Sequence, residues 1–313
     1  MNKITVIGSG SVGSTIAYTL TVMGIASEIV MIDINQEKSL GEALDIRQGV
    51  PFCNPATVYA GSYVDAKDSD IVVITSGVAR KPGQSRLDLA QTNVNVLKTI
   101  SKEIVKYAPE ATYIIVSNPV DVLTYVFHKI SGIPEERIIG SGTILDTARL
   151  RARIAEYYDV NQKNVHAYVL GEHGDSAFVP WSIANISNVP IEDYREALLN
   201  SREYPEFDRD DVENYVRKSG ARVIQRKGAT YYAVSMSVCH ICKSLLSGID
   251  TTMTVSTMLH GEYGISDVCL SLLNIVGHEG AHSKVLLPLN EEEIKALHHS
   301  ADCLKEIIDS IEI

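Results

Sequence analysis

Short apolar runs alternate with longer amphipathic stretches through the first half of the chain. The runs fall at Ile4–Ile7, Ile29–Ile32, Ile71–Thr75, Tyr113–Val116 and Ile138–Ile139. They are rich in Ile and Val and lack polar alternation, as strands buried on both faces of a parallel sheet require. Between them, residues 12–23, 37–48, 88–107 and 120–131 carry apolar positions at helical spacing. The alternation predicts βαβ units and a doubly wound α/β sheet. After about residue 143 the rhythm changes. A helix over 144–158 leads to a strand at Val165–Leu170, and long helices follow over 208–226 and 229–247. Shorter β-rich runs come near 253–260, 267–275 and 284–287, then an amphipathic helix over 291–311. The expected organisation is a doubly wound parallel domain over 1–142 and a second α+β domain over 143–313, with a crevice between them.

Composition narrows the function classes. The 313 residues are 45% apolar and 21% charged, as a well-packed globular chain requires. A formal net charge of −11 repels phosphate backbones and anionic membranes, so neither nucleic acid nor a membrane is an expected partner. No apolar run reaches the length that spans a bilayer, and no targeting segment precedes the first strand. The five scattered cysteines do not form a disulfide framework, so a reduced, cytoplasmic setting is expected. Cys239-x-x-Cys242 has no second ligand pair at zinc spacing and lies in an apolar helical run, which makes it core and leaves no expected metal. His298-His299 reads as a solvated helix face.

Gly8-x-Gly10-x-x-Gly13 follows the first strand and opens the first helix, with Asp33 twenty residues beyond Gly13 at the end of the second strand. That context turns a weak glycine pattern into a dinucleotide-binding, Rossmann-type fingerprint. Gly8 allows the tight turn, Gly10 lets backbone approach a pyrophosphate, and Gly13 lets the helix pack close to the strand. The N–H groups near Ser11 and Val12 face the phosphates at the helix N-terminus. Asp33 accepts ribose hydroxyls and repels a 2′-phosphate, so NAD is expected over NADP.

Four further segments carry candidate chemistry. His173, in Gly171-Glu172-His173-Gly174-Asp175 after a strand, is suited to move a proton near neutral pH. Asp146 and Arg149 share a helix face, which makes either a plain ion pair or a division of labour. In the second case Arg149 forks onto a substrate carboxylate and Asp146 fixes the histidine tautomer. The stretch from Ser76 and Gly77 to Arg86 is either a solvated basic loop or a lid at the carboxyl end of the sheet, with Arg86 polarising the reacting carbonyl. Asn118, before Pro119 at a strand end, is either a turn residue or a ligand of the substrate oxygen.

Taken together, these motifs resemble the L-lactate/malate dehydrogenase superfamily essentially end to end. The resemblance implies a homotetrameric NAD-dependent 2-hydroxy acid dehydrogenase. In it His173 is the acid/base, Asp146 its partner, Arg149 the carboxylate clamp and Arg86 the loop arginine. Asn118 is a substrate ligand beside the cofactor, with Gly77 near the cofactor, and Thr230 lines the pocket. Much of the chain resembles bacterial lactate dehydrogenases, but Arg80 stands where those enzymes usually carry glutamine and malate enzymes arginine. A closing arginine would pair with the second carboxylate of oxaloacetate and lie unpaired over pyruvate. One-sided loss of a buried pair costs about 3–5 kcal/mol, so malate is the first expectation and lactate the alternative. Arg151 and His166 match the positions that hold fructose 1,6-bisphosphate in some bacterial lactate enzymes, so an anion site there is a further expectation. A catalytically silent NAD-binding protein is the reading from a different class, and the intact set of His173, Asp146, Arg149 and Arg86 argues against it.

Overall fold

The expected parallel strands form one sheet whose order reverses beside the first strand. The computed structural model describes residues 2–78, 86–199 and 204–313. Strands β1 (Lys3–Ile7), β2 (Glu28–Ile32), β3 (Thr57–Ala60), β4 (Ile71–Ile74), β5 (Thr112–Ile115) and β6 (Ile138–Gly140) lie in the order β3-β2-β1-β4-β5-β6, all parallel. Helices α1 (Ser11–Met23), α2 (Gln36–Gly49), α3 (Arg86–Tyr107) and α4 (Val120–Ser131) cover its faces. Because β1 pairs with both β2 and β4, a crevice opens at the carboxyl ends of β1 and β4, where ligands of such sheets bind.

Alternate residues of each strand feed two cores. Val30, Val72, Ile74 and Ile115 pack on one face with Leu97 and Leu123, while Ile4, Ile29, Val73 and Ile114 pack on the other with Ile16 and Leu20. This two-sided burial is why the strands read as continuous apolar runs. The sequence pattern passes over β3. It is an edge strand with one fully buried residue, Val58, so it carries no apolar run.

The second half extends the same sheet. After α5 (Ile144–Tyr158), a small antiparallel sheet forms from β7 (Val165–His166), β8 (Asn185–Ile186) and β9 (Val189–Pro190). The helices α6 (Tyr194–Ala197), α7 (Arg209–Lys227) and α8 (Tyr232–Leu245) follow. Then β10 (Thr251–His260), β11 (Ser266–Gly277) and β12 (Gly280–Val285) add antiparallel beyond β6, making nine strands that run through residue 142. Helix α9 (Glu291–Ile308) closes the chain with an Asn290–Glu293 capping box.

Three expectations are corrected. The strand expected at Val165–Leu170 stops at His166, with Leu170 only bridging Phe178, because the backbone leaves the small sheet to enter the 171–175 loop. The run near 284–287 pairs instead over Gly280–Val285, ahead of Pro288, which cannot donate to a ladder. His298 is part-buried with Nε2 against the Tyr263 carbonyl at 2.8 Å, so only His299 belongs to the exposed face. Cys239 and Cys242 are fully buried between α8 and α1, and burial pushes both thiols up, as core residues rather than ligands. Among the described residues no helix is long and apolar enough to cross a membrane.

Gly140 is the joint between the parallel and antiparallel halves. A Cβ there would lie 2.4 Å from Thr124 Oγ1 and 2.9 Å from Ser256 Cβ. Gly140→Val should therefore cost about 1–3 kcal/mol through overpacking. Thermal unfolding checks this, and an unchanged Tm would show that the joint has room.

Candidate active site

The glycine turn is built for a close-approaching ligand. Gly8 has φ +104°, the left-handed region that favours glycine. A Cβ on Gly13 would sit 1.7 Å from the Gly8 carbonyl oxygen, whereas one on Gly10 meets nothing within 4 Å. The turn is thus tight on its inner side and open where Gly10 faces out, with Ser11 exposed at the first turn of α1. Asp33 accepts the Ser9 N–H through Oδ2 at 2.6 Å and the Asn35 N–H through Oδ1 at 2.8 Å. A carboxylate has about four acceptor sites, so others remain for a ribose diol. These residues fit a dinucleotide.

From the turn, a cleft of about 550 Å³ runs between the two halves of the chain. Val12, Gly77 and Asn118 line it from the sheet side, and Asp146, Arg149, His173 and Thr230 from the other. Gly8, Gly10, Gly13 and Asp33 lie outside the enclosed part.

Asp146 and Arg149 stand one turn apart at the start of α5, and the sequence left open whether they pair or divide. They do both. Asp146 Oδ1 accepts from Arg149 Nη1 at 2.8 Å, while Asp146 Oδ2 lies 2.6 Å from His173 Nδ1. The carboxylate is 9% exposed. Burial pulls the His173 imidazole down, but the charge and hydrogen bond of Asp146 outweigh it, so its pKa lies above the ordinary value. Burial raises Asp146, and His173 and Arg149 together bring it below the usual carboxylate range. Both shifts favour the imidazolium–carboxylate form of the pair, with Nε2 left to serve the cleft. Among the described residues Arg149 keeps Nε and Nη2 without a hydrogen-bond partner, enough for a bidentate carboxylate contact.

Three elements pin the loop that carries His173. Gly171 exchanges backbone hydrogen bonds with Ser271 of β11 at 2.9 and 3.0 Å. The Glu172 N–H donates to Ser300 Oγ of α9 at 2.6 Å, and the His173 N–H donates to Asp121 Oδ2 of α4 at 2.7 Å. Sequence reading missed all three, since a serine in a strand or helix and an aspartate in a first helical turn carry no local signal. It also missed Asn93. That residue is buried in α3, takes the Val78 N–H on Oδ1 at 2.8 Å and donates to the Asn118 carbonyl at 2.7 Å. Asn93 thereby ties the segment after β4, at Val78, to the Asn118 turn.

Arg80 and the side chain of Arg86 lie outside the described residues. Of Arg151 and His166, only Arg151 lines a second hollow, of about 300 Å³, with Lys163 and His240. Arg151 donates through Nε to the Ala167 carbonyl at 3.0 Å and stacks on Tyr168. His166 is exposed and pairs with Asn185 in the small sheet, because alternate strand residues face opposite ways.

A dinucleotide turn, a switch-point crevice and a histidine held by a carboxylate beside an arginine are what a nicotinamide-dependent dehydrogenase needs. Residues 2–140 match the lactate/malate dehydrogenase NAD binding domain, and residues 143–312 match the lactate/malate dehydrogenase alpha/beta C-terminal domain. The chain is 46% identical to the L-lactate dehydrogenase of Thermoanaerobacter sp. (strain X514) over 313 residues, all of both chains. It is 45% identical to that of Acetivibrio thermocellus, over 100% of this chain and 98% of the relative. The ligand-bound minor L-lactate dehydrogenase of Enterococcus mundtii superposes with a TM-score of 0.94 at 38% identity, covering 100% of this chain and 99% of that one. The chain belongs to the lactate/malate dehydrogenase family and is an NAD-dependent 2-hydroxy acid dehydrogenase. Such an activity sets aside the catalytically silent reading.

If Asp146 is what holds the imidazole protonated, Asp146→Asn should lower the His173 pKa in an NMR titration. It should also reduce kcat by about 10²–10⁴-fold, since an amide favours the wrong tautomer. An unshifted imidazole would sink this account of the pair.

Proposed function

We propose that the chain is an L-lactate dehydrogenase, reducing pyruvate to L-lactate with NADH. The observation that carries this is the end-to-end likeness to bacterial enzymes bearing that name, at 43–46% identity across four relatives. The sequence put malate first on the strength of Arg80, and the relatives weigh against that order. Arg149 adjoins the His173–Asp146 pair, whereas Arg217, the other arginine among the described lining residues, faces Glu213 at 3.4 Å.

In the proposed mechanism Arg149 takes the substrate carboxylate in a fork, and Asn118 and Thr230 border the reacting end. NADH, when bound, supplies the hydride to the carbonyl carbon. His173 delivers the proton from Nε2 to the carbonyl oxygen as Asp146 holds Nδ1, so 2-oxo acid, NADH and one proton become 2-hydroxy acid and NAD⁺. Polarising the carbonyl is the role assigned to Arg86. Gly8, Gly10, Ser11, Val12 and Gly13 would hold the pyrophosphate and Asp33 the ribose, and Gly77 and Asn118 would complete the cofactor site. Residues 1–142 thus act as the cofactor half and 143–313 as the substrate half.

Arg80 keeps malate dehydrogenase as a second reading. The assembly proposed is a homotetramer in the cytoplasm. Arg151, with Lys163 and His240 beside it, is the proposed anchor of an anionic effector such as fructose 1,6-bisphosphate, without His166 in the same hollow.

Side-by-side kcat/KM for pyruvate and oxaloacetate with NADH decides the substrate. Pyruvate should lead, and Arg80→Gln should depress the oxaloacetate value while sparing pyruvate. A lead for oxaloacetate of about 10²-fold would establish the malate reading instead. The pH dependence follows from the raised imidazole. Pyruvate reduction needs His173 protonated and should hold above the ordinary histidine range before falling on the alkaline side. Lactate oxidation needs it neutral and should rise through the same limb. Coincident limbs in the two directions check the assignment, and their absence would remove His173 from the proton transfer.

A further inference from the structure

Helix α7 turns one face to the cleft, and one position on that face carries no side chain. Val216, Arg217, Gly220, Ala221 and Ile224 recur at helical spacing and line the cleft together. Gly220 lies in the helix interior, where glycine is less favourable than alanine. Packing does not demand it. Among the described residues, a Cβ there would meet Arg149 Nη2 at 4.0 Å and nothing closer, an ordinary contact. Nor does the backbone demand it, which is regular helix at that point. Gly13 and Gly140 differ in kind, because a neighbour leaves a Cβ no room at either. The glycine at 220 therefore keeps an opening into the cleft, beside the atom offered to the substrate carboxylate.

The walls of the opening say what fits it. With the carboxylate on Arg149 and the carbonyl oxygen at His173, the part of a 2-oxo acid left to face α7 is its side chain. Val216, Ala221 and Ile224 offer that side chain apolar surface. Arg217 and Glu213 share the face but occupy each other at 3.4 Å, and Trp181 Nε1 donates to the second Glu213 oxygen at 2.6 Å. The face thus presents no spare charge of its own to an anionic tail.

We propose that Gly220 is a specificity-determining residue that opens the substrate pocket to 2-oxo acids whose uncharged alkyl side chains are longer than the methyl group of pyruvate. The proposal deepens the L-lactate dehydrogenase reading and rests on Arg149 as the carboxylate clamp. The chemistry is the same for each acid. The carbonyl carbon takes the hydride as NADH becomes NAD⁺, and the oxygen takes the proton from His173, giving the longer 2-hydroxy acid. Each added methylene exchanges water for the apolar wall of α7.

The test is kcat/KM with NADH for pyruvate, 2-oxobutyrate, 2-oxovalerate and oxaloacetate in the wild type and Gly220→Ala, with the Tm of both proteins. In the wild type the two longer monocarboxylates should stay within about tenfold of pyruvate. In Gly220→Ala the new methyl group fills the opening. The ratio of 2-oxovalerate to pyruvate should then fall roughly 10–100-fold. Tm should hold or rise, because alanine is the better helix former. A structural role for Gly220 would instead lower Tm. A folded variant with the wild-type ratio overturns the proposal. So does one in which all the acids fall equally, the mark of a displaced Arg149. A wild type that falls by about 10²-fold from pyruvate to 2-oxobutyrate also overturns it, and that measurement decides the matter should the variant not fold. Failure of the L-lactate reading looks different. A lead for oxaloacetate over all three monocarboxylates overturns that reading and the alkyl pocket with it, whereas a steep fall beyond pyruvate overturns the pocket alone.

Discussion

The 2.6 Å contact between Asp146 and His173 is the constraint around which the rest of the chain is arranged. It joins the first turn of α5 to a loop 27 residues later, so both segments must be held with little slack. Helix α5 is fixed because β6 ends in Gly140 and the chain turns at once into the helix over the sheet edge. The loop is fixed by hydrogen bonds to β11, α4 and α9, which come from three distant stretches of sequence. Loosening any of them would lengthen a contact whose value falls steeply with distance in a partly buried site.

Electrostatics explains how so many ionisable groups coexist there. Asp146 and His173 lose hydration on burial, and the Asp146 carboxylate pairs with both His173 and Arg149, whose like charges oppose each other. The consequences for stability have definite signs. His173, raised, contributes stability below its unfolded value that is lost as pH rises through the folded one. Asp146, lowered, contributes stability above its unfolded value that is lost as pH falls through the folded one. Their joint contribution therefore spans the window between the ordinary carboxylate range and the raised imidazole. Asp121, raised by burial, works against folding in that window.

The sheet solves a different problem. Nine strands run through residue 142, so the cofactor crevice and the substrate side are set by one continuous framework rather than by two bodies in loose contact. The cleft takes its walls from both halves, with Val12, Gly77 and Asn118 on one side and Asp146, Arg149, His173 and Thr230 on the other. Catalysis by positioning depends on such rigidity, because small displacements of oriented groups are expensive in rate.

The sequence by itself determined everything that a local pattern can encode. Apolar runs buried on two faces gave the parallel strands, a glycine spacing followed by Asp33 gave the cofactor turn, and His173, Asp146, Arg149 and Asn118 stood out through their neighbours. It also carried the two signals that point different ways on substrate, the lactate-like body and Arg80. Tertiary structure alone decided what depends on contacts between remote segments. It let Asp146 serve Arg149 and His173 at once, continued the parallel sheet into β10, β11 and β12, and set His166 apart from the hollow at Arg151. It also recruited Asp121, Ser271, Ser300 and Asn93, whose roles have no period or motif. A hydrogen bond between residues 52 or 128 positions apart leaves no trace in a sequence window, because either partner alone is an ordinary residue of its own helix or strand.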